Sequence, residues 1–113
     1  MATEIYRKKG DTSKLRVTLI DDNGPIDLTG SSVVFTMEST TGTVKVNKQA
    51  CVVLDQSVTA NRGIVTYAFT GTQVNTVGKY YGEWTITLPN AEILTIPSAP
   101  DPYVIIHIKD TLV

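Results

Sequence analysis

The stretch TVGKYYGEWTITL, residues 76–88, strongly constrains what the chain can fold into. Tyr80, Gly82, Trp84, Ile86 and Leu88 fall on one side of an extended backbone, and Lys79, Tyr81, Glu83, Thr85 and Thr87 on the other. This period of two is that of a strand with one face in a core, and its length marks a central strand. The same alternation recurs in Leu15, Val17 and Leu19, in Val33, Phe35 and Met37, in Val65, Tyr67 and Phe69, and in Val104, Ile106 and Ile108. Turn clusters separate these runs, among them Gly10-Asp11-Thr12, Asp21-Asp22-Asn23-Gly24-Pro25, Thr40-Thr41-Gly42-Thr43 and Pro89-Asn90-Ala91. No amphipathic helix and no internal repeat interrupts them, so the chain reads as all-β.

The start of residues 76–88 narrows the architecture. Thr76, Gly78, Tyr80 and Gly82 have the i, i+2, i+4, i+6 spacing of the tyrosine corner in immunoglobulin-type sandwiches, with Thr in place of an acidic residue and Gly in place of the second Cys. The expectation is one immunoglobulin-like β-sandwich over residues 1–113, built from about seven to nine antiparallel strands, with residues 76–88 as its F-like strand. A closed barrel is the structural rival. Within this frame residues 4–9 form a short first strand around Ile5, and Arg7-Lys8-Lys9 is its solvated end. TVKVN forms an edge strand protected by Lys45 and Lys48, ACVVLD a buried strand, and residues 71–75 one helical turn.

Composition excludes several function classes. Ten Lys and Arg against eleven Asp and Glu leave a formal charge of −1, which supplies no field for nucleic acid or an anionic membrane. The N-terminal MATEIYRKKGD has no apolar signal-peptide region, and no apolar run approaches a membrane span. Cys51 is the only cysteine, so the sandwich lacks an intersheet disulfide and suits synthesis in a reducing compartment. The pattern fits a protein made in a cytoplasm, whatever its place of action.

The raw material for catalysis is sparse. His107, the one histidine, falls on the outward side of the last strand with no motif-placed nucleophile to activate, and Cys51 has no neighbouring base. One His and one Cys 56 positions apart make no zinc spacing, Asp21 to Ile26 fails the EF-hand pattern at Pro25, and no glycine-rich phosphate loop is present. Asp27, Glu83 and Asp101 could meet across loops, but nothing in their spacing requires it. No catalytic residue, cofactor site or metal site is assigned, and the chain reads as a non-enzyme. Tyr81 with Lys79 and Arg16 is the nearest approach to a stacking surface for single strands. Trp84, the natural carbohydrate platform, lies on the inward face.

One feature departs from a solvated sheet. Tyr103, Ile105 and His107 form the outward stripe of the last strand, and Tyr81 lies on the corresponding side of the F-like strand. If the two strands are neighbours, Tyr81, Tyr103, Ile105 and His107 make an apolar patch of the kind that marks an interface. The competing reading covers the last strand on both faces with the protein's own loops.

The succession IYRKKGDTSKLRVTLIDDNGPIDLTGSSVVFTM, a Gly opening IVTYAF, TVGKYYGEWTITLPNAEILTIP and a closing YVIIHI resembles the N-terminal domain of phage baseplate upper proteins. The likeness lies in Gly10-Asp11-Thr12, in Pro25-Ile26-Asp27-Leu28-Thr29-Gly30, in the Gly78-x-Tyr80 corner followed by Glu83, and in Thr95-Ile96-Pro97. It implies a virion-structural protein of the tail or baseplate that assembles as a homo-oligomer and with other virion proteins. In that family the domain commonly begins a longer chain, whereas this sequence stops at Val113. No family contact residue carries over. The alternative is a β-sandwich that binds host-surface carbohydrate.

Overall fold

The structure, a computed structural model, describes residues 4–21, 23–96 and 104–110. Its strands are β1 (Glu4–Lys8), β2 (Leu15–Thr18), β3 (Ile20–Asp21), β4 (Gly24–Pro25), β5 (Ser32–Ser39), β6 (Val44–Ala50), β7 (Val52–Val53), β8 (Ile64–Tyr67), β9 (Gly78–Thr87), β10 (Ile93–Ile96) and β11 (Val104–Lys109). The molecule is all-β, and 3-10 turns at Thr59–Asn61 and Gly71–Val74 are its helical segments among the described residues.

The alternation of residues 78–87 is realised as β9, whose inward side chains are buried while the outward ones are partly or fully exposed. One edge of β9 pairs with β5 from Ser32 opposite Thr87 to Ser39 opposite Tyr80. Its other edge pairs first with β11, from Ile108 opposite Gly78 to Val104 opposite Gly82, and then with β10 opposite Trp84 to Thr87. β1 and β6 complete a six-stranded sheet of order β1-β11-β9-β5-β6, with β10 alongside β9. β2, β8 and β7 form a second sheet, and β3 and β4 a small hairpin whose Asn23 N–H is held by Asp21 Oδ1 at 2.8 Å.

The two larger sheets share one core. Phe35 of β5 stacks obliquely on Trp84 of β9 at 4.8 Å and meets Tyr67 of β8, from the opposite sheet, at 5.2 Å between ring centres. Phe35, Met37, Ile86 and Ile106 are completely buried and Trp84 nearly so. Each such side chain contributes roughly 1.5–3 kcal/mol by leaving water.

The corner closes as its spacing requires. Tyr80 Oη donates to the Thr76 carbonyl at 2.8 Å, so the backbone of residue 76 accepts the bond and its side chain need not be acidic. Gly82 also has a packing reason to lack a side chain. A Cβ there would lie 2.9 Å from Ile106 Cδ1 and 3.1 Å from Phe35 Cε1, so these side chains fill the space a cysteine would need.

Four expectations need correction. Among the described residues eleven strands form rather than seven to nine, because β3, β4 and β7 are two-residue ladders too short to show a period. They are not all antiparallel: β1 runs parallel to β11. ACVVLD is not one buried strand: Ala50 ends β6 opposite Val34, Val52 and Val53 form β7 in the other sheet, and Val52 is 61% exposed. Arg7 is not part of a solvated strand end. Its side chain points inward, 8% exposed, with Nη1 donating to the Ser13 carbonyl at 2.8 Å and Cζ 4.9 Å from the centre of the Phe69 ring.

Candidate interaction surface

The outer face of the six-stranded sheet is assembled by register. Ile105 of β11 stands opposite Tyr81 of β9 on one side and Glu4 of β1 on the other, and Tyr81 in turn stands opposite Glu38 of β5. Two residues along, His107 lies between Tyr6 of β1 and Lys79 of β9. Tyr81, Ile105 and His107 therefore share one surface, each of them half-buried. Tyr103 lies outside the described residues.

Two residues join this surface that the sequence reading did not assign to it. His107 Nε2 is 3.0 Å from Glu4 Oε1, and the Tyr6 ring stacks on the imidazole at 4.5 Å with only 9° between planes. Tyr6 is 63% exposed, the most open aromatic among the described core and face residues. The local signal was the outward position of Tyr6 in EIYRK. What no local pattern announces is that the first strand pairs with the last. The surface thus has an apolar centre of Tyr6, Ile105 and Tyr81, rimmed by Glu4, Lys8, Glu38 and Lys79, as protein interfaces commonly are.

Elsewhere several of the acidic side chains are occupied by the fold. Asp11, Asp27 and Asp55 are each held below the usual carboxylate range by hydrogen bonds from Ser13, Thr29 and Ser57, the residues two places on. These acids close turns. Burial pushes the Cys51 thiol up to about 12, which leaves it a poor nucleophile. Among the described residues no three His, Cys, Asp or Glu side chains cluster as metal ligands. Asp27 faces Arg62 at 3.9 Å and Glu83 lies on the outer face of β9, so these two carboxylates are engaged apart from each other; Asp101 is outside the described residues.

A depression of about 430 Å³ beside Thr29, Ser57 and Arg62 is lined by Gln56, the one buried polar residue among those described. Gln56 Oε1 accepts from the N–H groups of Leu28 and Gly63, and Nε2 donates to the carbonyls of Leu54 and Asn61. Its bonding capacity is spent on the loops around it. Arg16 belongs to β2 in the other sheet, so the grouping of Tyr81, Lys79 and Arg16 is not formed. Trp84 is 2% exposed and offers no platform for a sugar.

The family model of the BppU N-terminal domain, that of the baseplate upper protein, matches residues 2–96. The chain belongs to this family. A comparison with the curated proteins gives no match. The BppU match runs from the first strand through β10, so that β11, with Ile105 and His107, follows the matched stretch. Membership points to a structural part of a phage baseplate, and among the described residues no helix is long and apolar enough to cross a membrane.

Proposed function

We propose that the chain is a non-enzymatic structural module of a phage or prophage tail or baseplate, resident in the virion, that works by binding copies of itself and other virion proteins. The observation that carries this reading is the contiguous outer face in which Tyr6, His107, Ile105 and Tyr81 lie across three adjacent strands of a BppU-family domain. Tyr81, Ile105 and His107, with Tyr103 beyond the described residues, are the proposed contact residues. Such a patch, apolar at its centre and charged at its rim, is worth more covered than wet.

The architecture that presents it is, in this proposal, an immunoglobulin-like sandwich forming a single domain. Three features support that assignment: the sheet order β1-β11-β9-β5-β6 facing β2-β8-β7, the parallel pairing of first and last strands, and the Tyr80 corner. The order matches two Greek-key sheets with β9 as the F-like strand.

The experiment is an Ile105→Lys substitution in a phage that encodes the chain. The variant should stay folded, because Ile105 points away from the core, and its incorporation into purified particles, measured by mass spectrometry, should fall at least several-fold. A wild-type chain missing from purified particles would sink the virion reading, and an unfolded variant would make Ile105 ordinary core.

A further inference from the structure

The two ends of the six-stranded sheet are not alike. At the β6 end the pairing with β5 carries register shifts on both sides of Met37, Lys48 takes a φ of +48°, and Lys45 and Lys48 add charge. Bulges and lysines are how an edge strand avoids accepting another strand. At the β1 end, Glu4–Lys8 is a regular five-residue strand without Pro or Gly, and no strand among the described residues pairs with its outer side.

The direction of its free backbone groups follows from one bond. Lys9 N–H donates to the Lys109 carbonyl at 2.7 Å, so the N–H and C=O of residue 9, and by alternation those of Arg7 and Ile5, turn toward β11. Those of Glu4, Tyr6 and Lys8 therefore turn to the open edge, and their side chains are the exposed ones of the strand.

The sequence of this edge is self-complementary. Reading Glu4-Ile5-Tyr6-Arg7-Lys8 against a second copy of itself in the antiparallel sense, centred on Tyr6, sets Glu4 opposite the second copy's Lys8, Tyr6 opposite Tyr6, and Lys8 opposite Glu4. All three are the residues whose backbone groups face outward. Each becomes a hydrogen-bonded antiparallel pair, about six backbone bonds in all. Opposite charges directly across strands add to the pairing, and like charges would oppose it. Glu4 binds His107 through Oε1, which leaves Oε2 for the incoming ammonium.

We infer that β1 is a homodimerisation edge, pairing antiparallel with β1 of a second copy about a two-fold axis at Tyr6. The arrangement is isologous and closes on itself, so it makes a dimer rather than a filament. It joins the outer faces of two copies into one surface, with the two Tyr6 side chains at its middle. Five residues of edge bury less than a stable free-standing interface requires, so the dimer is weak alone, with Kd roughly micromolar or higher, and gains strength where other contacts hold copies together. The inference rests on the self-assembly part of the proposed function, but it uses the sheet edge rather than the Tyr81–Ile105 face.

The test is sedimentation velocity of the full chain over a concentration series. Wild type should shift from monomer toward dimer as concentration rises. Glu4→Lys and Lys8→Glu, each of which sets like charges opposite one another, should weaken dimerisation by about tenfold or more. The double variant Glu4→Lys/Lys8→Glu should recover it, as should mixing the two single variants, since both restore opposite charges across the axis. Glu4→Lys loses the Glu4–His107 contact and Lys8→Glu the bond from Lys8 Nζ to the Asp110 carbonyl, so recovery on mixing the two single variants separates the charge effect from any loosening of β1. A chain that stays monomeric throughout, or a dimer indifferent to both reversals, overturns the edge. A dimer lost in Ile105→Lys but untouched by the reversals also overturns it, and leaves the assembly role standing on the sheet face.

Discussion

Gln56 and Tyr80 carry polar groups into the interior for different returns, and mutation should separate them. Gln56 satisfies two N–H groups and two carbonyls from two loops at distances of 2.8–3.1 Å. Gln56→Leu keeps the volume and strands all four, so it should cost about 3 kcal/mol or more, because buried groups left unpaired lose their full solvation. Tyr80→Phe removes one bond, to the Thr76 carbonyl, and leaves the ring packed. Its cost should be about 1–2 kcal/mol. Urea titrations of both variants test the ranking, and an unchanged midpoint for Tyr80→Phe would count against the corner as a stabilising bond.

At the scale of elements, what could be read in advance depended on how local the cause is. β9, β5 and β8 follow from side-chain period, and the 3-10 turn at Gly71–Val74 from its place before the corner, so these were legible from residues alone. The outer patch was legible in part, because Tyr81 and Ile105 are outward residues of strands that turn out to be neighbours. Glu4 and Tyr6 were not, since their place beside His107 depends on a pairing between residues about a hundred positions apart. Arg7 misled for a related reason. Among three consecutive cations only alternation distinguishes the inward one, and its environment comes from Phe69 and the Asp11–Ser13 turn. That environment makes Arg7 the tether of β1. Arg7→Met should raise hydrogen exchange across residues 4–9, notably at the Lys9 amide bonded to Lys109, while β9 amides remain protected. Arg7→Lys should not restore protection, because a single ammonium cannot reproduce a planar group that both bonds the turn and covers a ring. Equal loss of protection in β1 and β9 would instead make Arg7 a support of the whole core.

For the molecule as a whole, the decisive feature is that neither large sheet has a core of its own. Leu15, Val65 and Tyr67 of the smaller sheet are buried against Phe35, Trp84 and Ile106 of the larger, and the rings of Phe35, Tyr67 and Phe69 lie within 6.0 Å of one another. Separating the sheets would expose both inner faces together, so partial unfolding has no stable intermediate to populate. The chain should unfold as one cooperative unit, with an enthalpy of roughly 80 kcal/mol near its midpoint for 113 residues. The single tryptophan makes this measurable, because Trp84 is buried between β5 and the opposite sheet and reports the core, while far-ultraviolet circular dichroism reports the strands. The two signals should trace one curve, and the calorimetric and van't Hoff enthalpies should agree. A fluorescence transition that precedes the loss of strand signal would mean that the larger sheet survives without its partner. The core would then be two packed units rather than one.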